Sequence, residues 1–170
     1  MYSLNVPVPG RVAALASDIA RELPQARARC RGEHTLCAKR LDGTGPERAY
    51  SRLEARAREA LAGQPAFEVR VTGVGCFEAA VTGTTPVVYL AVESPELHRL
   101  HERLSAVFEP VESIEGPEYT PHVTVARGGS LSAARRVTAR QVDPVTWTVT
   151  ELSFWDAAHN QTVSTVSLPC

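Results

Sequence analysis

Apolar positions along this chain switch repeatedly between two periods. Residues 3–8 alternate as a strand does, and from Val12 the side chains Val12, Leu15, Ile19 and Leu23 recur at helical spacing until Pro24 stops them. An arginine-bearing loop, residues 26–32, leads into residues 33–41, which are partly β-branched, closed by Asp42-Gly43 and predicted as a strand. Thr44-x-x-Glu47 with Pro46 opens a helix striped by Tyr50, Leu53, Ala57 and Leu61, and Phe67, Val69 and Val71 alternate as a third strand. After the Gly73-Val74-Gly75-Cys76-Phe77 segment the order repeats. Residues 86–92 form an apolar strand, and Ser94-Pro95 caps a helix striped by Leu97, Leu100, Leu104 and Phe108. Past Gly116-Pro117 come a strand at 120–127, a weaker helix from about Ser132, and closing strands at 145–154 and 162–168 joined by a hairpin.

Each half thus reads strand, helix, histidine-bearing strand, helix, strand, with half-repeats at 1–84 and 85–170 of a single bilobal domain. Matched without a gap, the two histidine strands set His34 on His122, Ala38 on Ala126 and Lys39 on Arg127. This order predicts an α+β fold: two pseudo-symmetric lobes of antiparallel sheet with flanking helices around a central groove. Equivalent histidines would then face each other across the groove and enclose a small ligand.

Composition narrows the classes rather than the chemistry. With 170 residues, 44% hydrophobic and 22% charged, the chain can bury a full core, and no disulfide, metal or other cofactor is needed to staple it. A net charge of −1 disfavours non-specific coating of polyanions, so any phosphate must be held locally. No basic leader precedes an apolar stretch and no apolar run is long enough to span a membrane, which leads us to expect a cytoplasmic monomer without membrane partners. Cys30, Cys37, Cys76 and Cys170 include no C-x-x-C pair and match no zinc or disulfide spacing.

Chemistry concentrates on the paired histidines. Residues two apart on a strand share a face, so His122 and Thr124 present an imidazole and a hydroxyl to the same side. Hydrolysis of a cyclic phosphodiester needs a base for water and an acid for the departing oxygen, and an imidazole pKa near ~6.5 suits both. Neighbouring hydroxyls would donate to the non-bridging oxygens.

Pro121-His122-Val123-Thr124-Val125-Ala126-Arg127, the Gly73–Phe77 segment, which looks like the family's turn before the central strand, and the opening Leu4-Asn5-Val6-Pro7-Val8-Pro9 together resemble the two-histidine (2H) phosphoesterase superfamily, in particular its LigT-like RNA 2′,3′-cyclic phosphodiesterases, also called 2′-5′ RNA ligases. The resemblance implies a metal-independent hydrolase acting on a 2′,3′-cyclic phosphate, at RNA ends or on nucleotides, to give a 2′-phosphate, with 2′-5′ ligation as a reverse activity. It implies His34 as proton donor to the departing oxygen, His122 as the base, and Thr124 and Arg127 on the phosphate. The first motif departs from His-x-Thr, because His34 is followed directly by Thr35 and then Leu36. Either a bulge turns Thr35 inward, or Leu36 replaces a phosphate ligand and Lys39 compensates.

Phe77 and Tyr119 are candidate stacking surfaces for a base. Arg27, Arg29 and Arg31 are candidate contacts to flanking phosphates or else solvated loop residues. His98 and His101 are expected at the surface or its boundary, and His159 in a solvated hairpin turn. The competing reading is a weak or inactive binding module of the same fold for RNA or nucleotide phosphate. A metal-dependent hydrolase using His34, His122 and cysteines ranks below both.

Overall fold

The structure, a computed structural model, describes residues 1–170. Nine strands form one antiparallel sheet: β1 (Tyr2–Val6), β2 (Arg27–Ala28), β3 (Leu36–Leu41), β4 (Phe67–Phe77), β5 (Val87–Glu93), β6 (His122–Arg127), β7 (Val145–Val149), β8 (Glu151–Asp156) and β9 (Gln161–Ser167). The spatial order is β7-β4-β5-β6-β3-β1-β8-β9, with the two-residue β2 on β6. Four helices, α1 (Gly10–Ala20), α2 (Tyr50–Ala60), α3 (Pro95–Ser105) and α4 (Leu131–Thr138), complete the α+β architecture.

The helices follow their predicted stripes because each buries one apolar face. α1 buries Val12, Ala13, Ala16 and Ile19, while α3, capped by Ser94 Oγ accepting from Leu97 N–H, buries Leu97, Leu100, His101 and Leu104. α1 packs on β6 and α3 on β3, so each helix lies against the central strand of the opposite half. Two predicted elements differ. The Gly73–Phe77 segment is not a turn but the second half of an 11-residue strand paired along β5. Residues 145–154 break at Thr150 into β7 and β8, which join β4 and β1 on opposite sides of the sheet. The apolar alternation explains the break: Val149 and Leu152 are both buried although an odd number of positions separates them.

The two halves exchange strands. β4 pairs into the lobe of β5, β6 and β7, and β8 and β9 into the lobe of β1 and β3, so neither spatial lobe is contiguous in sequence. The lobes meet where Leu36 on β3 faces Val123 on β6. Under the pseudo-two-fold through this pair, β3 maps onto β6 by adding 87 residues and β1 onto β5 by adding 84. Both flanking registers obey the rule: Cys37 pairs with Asn5 as Thr124 pairs with Tyr89, and Arg40 with Ser3 as Arg127 with Val87. A bulge falls at the same place in each, skipping Ala38 on β3 and Val125 on β6.

Candidate functional site

That symmetry decides which side chains reach the groove. On β6, His122 and Thr124 point into it while Val123, Val125 and Ala126 are buried beneath, and the bulge returns Arg127 to the groove face three residues after Thr124. The other strand repeats this pattern one position later than the sequence match predicts. Thr35, Cys37 and Arg40 face the groove, and Leu36, Ala38 and Lys39 are buried. Thr35 is therefore the partner of His122, Cys37 of Thr124, and Arg40 of Arg127.

His34 accordingly does not face His122. It precedes β3, is absent from the residues lining the groove, and has 8% of its surface exposed beside Val6, Val8 and Ser153. Neither of its ring nitrogens has a hydrogen-bond partner. Burial, with Arg29 adding to it and Glu33 opposing, lowers its pKa and keeps the ring neutral. The bulge foreseen for His34 lies at Ala38 instead, and the ungapped match misplaced the motif by one residue.

Lys39 is also corrected. Fully buried, its ammonium donates to Glu115 Oε2 at 2.5 Å and to the carbonyls of Arg40 and Glu109, so nothing remains for a phosphate. It occupies the core position that Ala126 fills on the other strand, and it ties β3 to the loop after α3. Glu115 also accepts from the backbone N–H groups of Arg40 and Val111. Burial pushes its carboxyl up, but Lys39 and those two N–H groups outweigh this and hold it below its ordinary value.

The groove, about 250 Å³, is lined on one side by His122, Thr124 and Arg127 and on the other by Thr35, Cys37, Arg40 and Arg29, with Phe77 and the 79–82 loop at one end. His122 Nδ1 donates to the Thr120 carbonyl at 2.7 Å, directing Nε2 elsewhere for a ligand. Burial, aided by Arg40 and Arg127 and opposed by the Thr120 carbonyl, lowers its pKa, so the imidazole is neutral near pH 7. Phe77 stacks on Tyr89 at 4.2 Å, and both meet the His122 ring edge-on at 5.2 and 5.3 Å. The Tyr89 ring lies against Gly75, where a Cβ would stand 2.4 Å from a phenol ring carbon. Cys37, its thiol pushed up to about 11 by burial, stays protonated.

The groove is cationic. Arg29, Arg40 and Arg127 converge on it, and only Arg40 has a carboxylate partner, Glu115 at 3.4 Å; Glu118 is the acidic residue on the wall. Burial, with the Arg29 and Arg40 charges adding to it, lowers the pKa of Arg127. Arg127 is steadied by donating to the Thr82 carbonyl at 3.1 Å.

The remaining candidates distribute as follows. Tyr119 lines the groove, but His101 stacks on its ring at 3.8 Å and its hydroxyl donates to the Cys37 carbonyl, making it wall rather than platform. His101 is buried rather than peripheral: Nδ1 donates to the Ala38 carbonyl and Nε2 accepts from Gly116 N–H. His159 is exposed and pairs with Asp156. Arg27 and Arg31 do not line the groove, whereas Arg29 does. No group of three or more His, Cys, Asp or Glu side chains gathers as a metal site. Sequence reasoning missed Arg40. The His-x-Thr-x-x-Arg spacing of 122–127, applied to Thr35-x-Cys37-x-x-Arg40, would have found it.

Comparison with known proteins agrees with this geometry at the level of family. The model of the 2′-5′ RNA ligase superfamily matches residues 40–161, which include the whole second motif, and the chain belongs to that superfamily of 2H phosphoesterases. TT0787 of Thermus thermophilus shares the fold at 22% identity and a TM-score of 0.65, over 98% of this chain and 97% of that one. E. coli LigT complexed with 3′-AMP aligns at 17% identity and 0.62, over 99% and 98%. Kluyveromyces marxianus Usb1 aligns at 12% and 0.59, over 99% and 96%. No curated protein matches the sequence significantly. No helix is long and apolar enough to cross a membrane.

Proposed function

We propose that the groove binds the phosphate ester of a nucleotide or RNA end, with His122 as its one imidazole. The observation that carries this is the convergence of Arg29, Arg40 and Arg127, two of them without a carboxylate partner, around a neutral imidazole and the Thr124 hydroxyl. Guanidinium groups match phosphate oxygens in charge and geometry, and Thr124 adds a neutral donor. E. coli LigT, of the same fold, is seen complexed with 3′-AMP and with phosphate, which supports a ligand of this class.

Hydrolysis of a 2′,3′-cyclic phosphate by two opposed histidines lacks its second imidazole, because Thr35 stands where the proton donor is needed and a threonine hydroxyl does not titrate near neutrality. Binding is therefore the reading the geometry supports best. Slow cyclic phosphodiesterase activity is the second reading, favoured by the neutral His122 ring, which can accept a proton from water while the arginines stabilise the phosphorane charge.

Calorimetric titration with 2′-AMP, 3′-AMP and 2′,3′-cyclic AMP, in EDTA, tests both. We expect each to bind, Arg127→Gln and Arg40→Gln to weaken binding at least tenfold, and any turnover of the cyclic ester to disappear in His122→Ala. Absence of binding by all three ligands would overturn the proposal.

A further inference from the structure

His101 is the polar member of the stripe that α3 buries against β3. The spacing Leu97-His101-Leu104 repeats the Val12-Ala16-Ile19 stripe of α1, so an imidazole stands in one half where the other has a methyl group. The internal symmetry gives the reason. In the first half the Arg29 N–H donates directly to the Val125 carbonyl at 2.9 Å. Adding 87 to Arg29 and subtracting it from Val125 gives Gly116 and Ala38, and the ring is inserted between these two groups. Nδ1–H donates to the Ala38 carbonyl at 2.8 Å, and Nε2 accepts from the Gly116 N–H at 2.9 Å.

The bridged segment is part of the groove. Gly116–Glu118 is a single 3₁₀ turn closed by Tyr119 N–H donating to the Gly116 carbonyl, and Glu118, Tyr119 and Thr120 line the wall. The His101 and Tyr119 rings stack at 3.8 Å and 3°, and the Tyr119 hydroxyl donates to the Cys37 carbonyl at 2.8 Å. The next residue, Thr120, supplies the carbonyl that holds His122 Nδ1 at 2.7 Å. Two imidazoles are thus joined through the short run of backbone from Gly116 to Thr120. Upstream of it the loop is pinned separately by Glu115, whose carboxylate accepts from Lys39 and from the Arg40 and Val111 N–H groups.

We propose that His101 is a positioning residue and an acid-sensitive latch. Uncharged, it clamps residues 116–120 to β3 and so sets the groove wall and the His122 ring; charged, it lets that segment go and weakens ligand binding. A protonated ring carries N–H on both nitrogens, so Nε2 no longer accepts and faces the Gly116 N–H donor to donor. The titratable groups facing the ring are Glu115 from the loop, Lys39 from β3, His98 on α3 and the stacked Tyr119. Burial is the largest influence on the ring and disfavours its charge, with Lys39 and His98 adding to this and the Ala38 carbonyl and Glu115 opposing it. Tyr119, its pKa raised well above the ordinary value by burial, stays protonated. The latch is therefore closed at neutral pH and opens on acidification below the ordinary histidine value of about 6.5. The proposal rests on phosphate-ester binding in the groove and goes beyond it by assigning its regulation.

The test uses 2′,3′-cyclic AMP, a phosphodiester whose charge is constant in this range, and His101→Gln, whose amide offers a donor and an acceptor but does not titrate. By calorimetry the two proteins should bind it equally at about pH 7.5, and at about pH 5.5 the parent should bind about tenfold more weakly than the variant, the worth of one hydrogen bond. His122 titrates in both alike, so its own contribution drops out of the comparison. Amide hydrogen exchange, corrected for the intrinsic effect of pH, should show protection at Gly116 and Tyr119 lost over this interval in the parent and kept in the variant. Equal affinities at both pH values, or protection in the parent that persists at about pH 5.5, would overturn the latch. A variant weaker than the parent at both pH values would overturn it too, because a bridge that does not titrate would have failed to substitute. Should His101→Gln not fold, exchange in the parent decides alone. Failure of the parent to bind at about pH 7.5 would overturn the phosphate-ester reading, while exchange at Gly116 and Tyr119 still tests the latch.

Discussion

At the scale of single residues, the site turns on what stands opposite His122. Thr35 and Cys37 occupy the places where a second His-x-Thr would lie, a substitution of two side chains on an otherwise symmetric frame. Thr35→His with Cys37→Thr should therefore supply the missing acid. We expect the double variant to hydrolyse 2′,3′-cyclic AMP roughly a hundredfold faster than the parent, the usual worth of a positioned acid-base group, with a bell-shaped pH profile in place of a single rising limb. A rate no greater than the parent's, from a folded variant, would show that geometry and not the residue type limits the reaction. Gly75 is a second lever. Its replacement by Ala puts a Cβ into the Tyr89 ring, which must move and release the edge-on contacts that steady His122. Turnover or phosphate affinity should fall with little loss of overall stability, measured by binding and by urea unfolding of the same variant.

At the scale of elements, the Lys39–Glu115 pair joins β3 to the loop between α3 and β6 and holds Arg40 toward the groove through Glu115 Oε1. Removing one partner of a buried pair strands the other charge, so Lys39→Met should destabilise the protein by about 3–5 kcal/mol. Urea titration checks the magnitude. At a temperature where the variant stays folded, its affinity for 3′-AMP should remain within a few-fold of the parent's, because Lys39 does not reach the ligand. A phosphate-specific loss with unchanged stability would contradict this assignment. The elements themselves were largely legible, since helix stripes and strand alternation are local patterns set by burial on one face. The Gly73–Phe77 strand was not, because the resemblance implies a turn there until Tyr89 on the neighbouring strand is seen lying over Gly75.

At the scale of the whole molecule, three histidines, His34, His101 and His122, have folded-state pKa values lowered chiefly by burial. The unfolded chain, with ordinary histidines near ~6.5, then binds more protons than the folded one in mildly acid solution, so stability rises with pH through that range. Unfolding free energy should be full above about pH 7 and fall on acidification from about pH 6.5 downward. Glu115, held below its ordinary value, adds a further loss only at lower pH, once its carboxyl is protonated. Because His34 has no hydrogen-bond partner, His34→Leu should cost little stability and flatten the first part of this dependence. Urea midpoints at about pH 7.5 and about pH 5.5 for parent and variant decide it, and parallel pH dependence in the two would remove His34 from the account.

The sequence by itself determined the alternating elements, the internal repeat and the His122-Thr124-Arg127 motif, because each is written in spacings of a few residues. Only the tertiary structure decided the register between the repeats. A bulge at Ala38 and another at Val125 let three-residue spacings share a face, and the Leu36–Val123 contact fixes which positions are equivalent. That register sends His34 and Lys39 into the interior and brings Thr35, Cys37 and Arg40 to the groove. A strand side chain changes face with a shift of one residue, so the identity of the site depended on a contact between residues 87 positions apart.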